Sequence, residues 1–102
     1  MAAVFSQRAS DQLEEIISYI ARSSPQNART VLDRIENAVA MLDRNPKLGP
    51  ERNDLADTTP PLRTWPVPPV VLVYRERKRG GAEIVTVAHG RQLLQALLED
   101  EL

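Results

Sequence analysis

From Ala9 to Ala21 the apolar residues recur at intervals of three and four: Ala9, Leu13, Ile16, Ile17, Ile20 and Ala21, with Asp11, Glu14, Glu15 and Arg22 between them. That spacing predicts an amphipathic helix from Gln7 with one apolar stripe. Ahead of it, the run Ala2 to Phe5 reads as a small strand, and Ser6 is placed to cap the helix. Ser23-Ser24-Pro25 then supplies a break, a cap and a proline at the first helical position. A second stripe follows at Ala28, Val31, Leu32, Ile35, Ala38, Val39 and Leu42, until Asn45-Pro46 ends it. At 1.5 Å per residue the two helices would be about 24 and 30 Å long, and the short break between them predicts an antiparallel hairpin.

Residues 46–61 hold Pro46, Gly49, Pro50, Pro60 and Pro61 among scattered charges, which reads as a long surface loop and a candidate for partner contact. Leu62-Arg63-Thr64-Trp65 runs into Pro66-Val67-Pro68-Pro69, an interruption that only an edge strand or a bend tolerates. Val70 to Arg75 and Ile84 to Ala88 are β-branched and apolar, and Arg77-Lys78-Arg79-Gly80-Gly81 between them predicts a β-hairpin. Leu93, Leu94, Leu97 and Leu98 share one face of a short final helix whose acidic end, Glu99 to Glu101, opposes the helix dipole. These elements predict an α+β fold: a small N-terminal strand, an antiparallel helical hairpin packed on an antiparallel β-sheet, and a short C-terminal helix.

The chain has 102 residues, a length that suits one domain with one modest core. It has no cysteine and one histidine, His89. This excludes a disulfide framework, a thiolate site and a cysteine nucleophile, and argues against zinc, so neither metal nor cofactor is expected. No apolar run reaches the roughly 20 residues of a membrane span, and the first residues do not read as a leader, so the expected location is the cytoplasm. The net charge of −1 conceals a division. Residues 1–59 carry 7 basic and 9 acidic groups, residues 60–92 carry 6 and 2, and residues 93–102 carry 0 and 3. An anion would therefore meet the stretch from Arg63 to Arg91, while the acidic remainder argues against tight direct binding of nucleic acid.

Several residues have two readings. Alternation along the last strand puts His89 on the face of Val85 and Val87, as a packed histidine if that face is inward or a catalytic group if it is not. Arg91 either caps a carbonyl or contacts a target, and Arg63 is either a solvated edge residue or a binding group. Trp65, the one tryptophan, either packs in the core or anchors a partner. Tyr74 is expected in the sheet with its hydroxyl at the rim. Arg75, Arg77, Lys78 and Arg79 form either a solvated hairpin tip or a patch that steers an acidic partner.

Leu62-Arg63, Pro66-Val67, Val73-Tyr74-Arg75 and the run Ile84-Val85-Thr86-Val87-Ala88-His89-Gly90-Arg91 resemble the C-terminal pattern of the RelE/ParE toxin family. Val4-Phe5-Ser6 with Ala9, and Tyr19-Ile20-Ala21, are similar to its opening. The likeness spans nearly the whole chain, and the ordered set ending in His-Gly-Arg carries its specificity. It implies a toxin of a type II toxin–antitoxin pair, held inactive in a hetero-oligomer with a cognate antitoxin.

Members of the family either cut messenger RNA on the ribosome or block DNA gyrase. Cutting RNA through its 2′-hydroxyl requires a base, cations around the phosphate and an acid. Arg63 and Arg91 are similar in position to arginines that the RNA-cutting members place around the phosphate. Those members add lysines or a glutamate, and a tyrosine or histidine near the C-terminus. After Arg91 this chain has no Tyr, His or Lys, and the loop offers only Lys47, Glu51 and Arg52. Arginine stays protonated and is a poor base. The resemblance therefore favours the ParE-like branch, a gyrase inhibitor acting by contact, with Trp65, Arg63, Arg75, Arg77 and Arg91 as candidate antitoxin- or target-binding residues. The alternatives are a ribosome-dependent endoribonuclease using Arg63, Arg91, Glu51 and Lys47, and a non-toxic binding domain.

Overall fold

The computed structural model describes residues 4–89; Arg91 and the short helix expected over 93–102 lie outside the described residues. The elements in chain order are β1 (Val4–Phe5), α1 (Gln7–Ser23), α2 (Pro25–Arg44), β2 (Arg63–Val67), β3 (Val70–Glu76) and β4 (Ala82–His89). Both helices begin where their caps predict. Ser6 Oγ accepts the Ala9 N–H at 3.0 Å and Ser24 Oγ accepts the Asn27 N–H at 3.1 Å. Pro25 occupies the first turn of α2, where its missing N–H has no intrahelical partner to lose.

The four strands form one sheet in the order β1-β4-β3-β2. β2, β3 and β4 make the expected antiparallel meander. β1 adds to β4 in parallel, pairing Val4 with Glu83 and Phe5 with Ile84, so the sheet is mixed and not wholly antiparallel. β2 extends through Pro66 to Val67 because it is the edge strand, where a residue without an N–H removes no ladder bond the sheet needs. The β3–β4 turn uses Gly80 and Gly81 at φ +95° and +81°, values that disfavour any residue with a Cβ. It is pinned to α2 by Asp43, whose carboxylate accepts the Ala82 N–H at 3.0 Å.

Each face of the sheet has its own cover. On one side Val31, Ile35, Val39 and Leu42 of α2 pack with Val67, Val70, Leu72, Tyr74, Ile84 and Val87. Ile35, Leu42 and Leu72 are wholly buried, and burying each side chain contributes about 1.5–3 kcal/mol. On the other side Leu55 and Leu62 pack with Val73 and Val85, and Ala56 leans on them. The loop between α2 and β2 is thus the second cover of the sheet. Its backbone supports that role: the Arg52 N–H donates to Leu62 O at 2.8 Å, and Glu51 forms a bridge with Arg63.

A bulge divides β4. Val73 pairs with Thr86 while Tyr74 pairs with Ile84, which leaves Val85 unopposed. Val85 therefore joins the loop-side cluster and Val87 the helix-side cluster. Strict alternation fails at this point; separately, the packed-histidine reading fails because His89 is exposed at the end of the strand.

Candidate functional site

Arg63 sits at the start of β2, where the sheet meets the turn after α2. Its Nη1 donates to Gly49 O at 2.7 Å and to Lys47 O at 3.2 Å, and its Nη2 donates to Glu51 Oε2 at 3.3 Å. The Arg63 side chain is only 12% exposed, against 51% for Glu51. A planar fork of donors suits this arrangement of converging oxygens. Arg63 is therefore not a solvated edge residue.

Beside it, the Gly49 N–H donates to the Tyr74 hydroxyl at 2.7 Å in a buried contact. Tyr74 is fully buried, so its hydroxyl lies beneath the loop and not at the rim. Burial pushes the phenol above its ordinary range, because the phenolate would lose water; the Gly49 N–H and the Arg63 charge pull the other way. A Cβ on Gly49 would stand 2.5 Å from Thr64 O and 2.8 Å from the Tyr74 hydroxyl, so only glycine fits without displacement. Sequence reasoning missed this role of Gly49, whose one signal was a glycine between two prolines in an otherwise charged loop.

The structure thus brings together Arg63, Glu51 and Lys47, three of the residues named for phosphodiester chemistry. It also engages the side chains of Arg63 and Glu51 with each other. Three of the five Arg63 N–H donors go to two loop carbonyls and a carboxylate, and the Glu51 carboxylate faces that cation; Lys47 contributes only its backbone carbonyl and is exposed. Farther along the loop, Arg52 and Asp54 form a two-point pair at 2.9 and 2.8 Å, which lowers the Asp54 carboxyl and raises the Arg52 guanidinium. His89 is remote from this group. It pairs with Val70 while Arg63 pairs with Tyr74, a separation of about 13 Å along the strands and about 10 Å across them.

The other named residues fall into two places. Arg75 Nε donates to Glu83 Oε1 at 2.8 Å across β3 and β4, while Arg77, Lys78 and Arg79 form the hairpin tip, with Lys78 and Arg79 exposed. Trp65 is half-buried on β2 and packs against the helix-side core. Arg91 is not among the described residues.

On the opposite edge, a groove of about 490 Å³ runs between α1 and the end of β4, lined by Gln12, Glu15, Ile16, Tyr19, Arg22, Val87 and His89. Gln12 Oε1 accepts the Val87 N–H at 2.8 Å, so a side chain takes the place of a neighbouring strand there. Tyr19 is 63% exposed. Its signal was an aromatic lying off the apolar stripe of α1. Among the described residues no cluster of His, Cys, Asp and Glu is arranged to hold a metal ion.

A helical hairpin against a four-stranded mixed sheet, with a latched loop on the far face and a basic hairpin, defines a small α+β protein. The family model of the ParE toxin of type II toxin–antitoxin systems, parDE, matches residues 3–94. The chain belongs to that family and is the toxin component of such a system. No curated protein matches it.

Proposed function

We propose that the protein acts in the cytoplasm by inhibiting DNA gyrase through protein–protein contact, and that a cognate antitoxin neutralises it by binding in a hetero-oligomer. Membership of the ParE toxin family supports this reading. The observation that carries it is the engagement of Arg63 and Glu51 with each other and with loop carbonyls. A general base must be free to take a proton, and a phosphate clamp must have open donors. Contact inhibition needs neither. In this reading Trp65, Arg75, Arg77 and Arg91 supply contact surface, and Arg63 acts through the loop it anchors.

One observation favours a second reading. Arg63 and Glu51 do converge beside the Lys47 backbone, and substrate binding that opened the latch would present them to a phosphate. The experiment is a gyrase supercoiling assay with the purified toxin, run beside a ribosome-dependent messenger cleavage assay. Inhibition of supercoiling with intact messenger is the expected result. Cleavage without gyrase inhibition would reject contact inhibition in favour of the endoribonuclease.

A further inference from the structure

Among the described residues three large apolar side chains are exposed, Val4, Tyr19 and Leu48. Exposure of a single leucine needs no explanation by itself. Leu48 differs in how its backbone is held. Its N–H donates to Asn45 O at 3.1 Å. Arg63 Nη1 donates to the carbonyls on both sides of it, Lys47 O and Gly49 O, and the Gly49 N–H donates to the Tyr74 hydroxyl. Pro46 and Pro50 restrict the ends of the same turn. Drawing a guanidinium down to 12% exposure costs solvation. What that cost fixes is a turn whose middle side chain, Leu48, stands 46% exposed.

The surroundings of the turn are positive. Arg44 and Lys47 flank it as exposed cations, and neither has an ion-pair partner among the described residues. The nearest carboxylates along the chain are already engaged: Glu51 with Arg63, Asp54 with Arg52, and Asp43 with the Ala82 N–H.

We propose that Leu48, with Arg44 and Lys47 beside it, is the anchor by which the toxin grips its protein target, entering an apolar pocket rimmed by carboxylates. This anchor presupposes contact inhibition of gyrase and names the surface that makes the contact. A convex side chain on a pre-ordered turn loses little conformational freedom on binding, and it fits a pocket already formed in a folded partner. A segment that folds as it binds covers grooves and sheet edges instead, so an antitoxin of that kind is the poorer match.

The test is plasmid supercoiling by DNA gyrase, titrated with the full chain and with three variants: Leu48→Ala, Leu48→Asp, and Arg44→Glu combined with Lys47→Glu. A urea midpoint is taken for each. All three positions are exposed, so the midpoints should match the parent. Leu48→Ala should raise the concentration for half-inhibition about ten-fold. Leu48→Asp should raise it further, because its carboxylate would meet a rim of like charge. The charge-reversed pair should weaken inhibition most at low salt. Parent potency in both Leu48 variants would overturn the anchor and leave contact inhibition standing. A parent toxin without effect on gyrase would overturn contact inhibition and the anchor with it. A loss of potency matched by a fallen urea midpoint would also overturn the anchor, placing Leu48 in the fold.

Discussion

Tyr74 holds two parts of the molecule together with one atom. Its ring fills the helix-side core while its hydroxyl receives the Gly49 N–H from the loop. Tyr74→Phe keeps the ring and leaves that N–H buried without a partner, which costs about 1–3 kcal/mol. A lower urea midpoint with an unchanged slope is the expected observation. The same residue gives a pH dependence. Burial raises the folded-state phenol above its unfolded value, so the unfolded chain loses this proton first as pH rises. The contribution of Tyr74 is complete below about pH 10 and is lost as pH climbs through the raised value. Urea midpoints taken across that range should fall less steeply in Tyr74→Phe than in the parent. Neither this contact nor the exposure of His89 was legible in the sequence. The contact depends on which backbone crosses beneath Tyr74, and the exposure on where the cover of β4 ends, between buried Val87 and exposed His89; a two-residue alternation contains neither.

At the scale of elements, legibility followed periodicity. The helices show their stripes over many residues and their stops at Ser23-Ser24-Pro25 and Asn45-Pro46, so their limits were readable. The segment after α2 shows no period, because it covers the sheet with only Leu55, Ala56 and Leu62 at irregular intervals. What holds it is Arg63. Arg63→Lys keeps the charge and loses the fork, so amide hydrogen exchange across residues 48–56 should accelerate at least about ten-fold, the effect of about 1.4 kcal/mol of local opening. Exchange in α2 should stay unchanged; acceleration in both would mean that Arg63 supports the whole fold and not the loop. The helix caps make a second comparison. Ser24 Oγ accepts one N–H, whereas Ser6 Oγ accepts from Ala9 and also donates to Val85 O at 3.0 Å. Ser24→Ala should cost about 1 kcal/mol and Ser6→Ala about 1–2 kcal/mol more, read from thermal or urea unfolding. Equal losses would show that the bond from Ser6 to β4 adds nothing beyond the cap.

At the scale of the whole molecule, the order of elements and its closing His-Gly-Arg were enough to reach the family. The sheet order was not, since β1 finds its partner 79 residues away in sequence, as between Val4 and Glu83. Surface charge carries the remaining functional argument. The hairpin projects Arg77, Lys78 and Arg79 from a chain whose first 59 residues are net acidic, so the positive potential is concentrated at one end of β3 and β4. Arg75 is tied to Glu83 and adds little to it. Such a patch acts chiefly on encounter with an oppositely charged partner, and far less on the lifetime of the complex. Replacing Arg77, Lys78 and Arg79 by Glu should therefore slow association with an acidic antitoxin by about ten-fold or more at low salt. The dissociation rate should move little, and the difference from the parent should shrink as ionic strength rises toward 1 M, where screening reaches about 3 Å. Stopped-flow mixing at a series of salt concentrations separates the two rates. A change confined to dissociation would place the tip inside the bound interface, and an unchanged association rate would remove the hairpin from antitoxin capture.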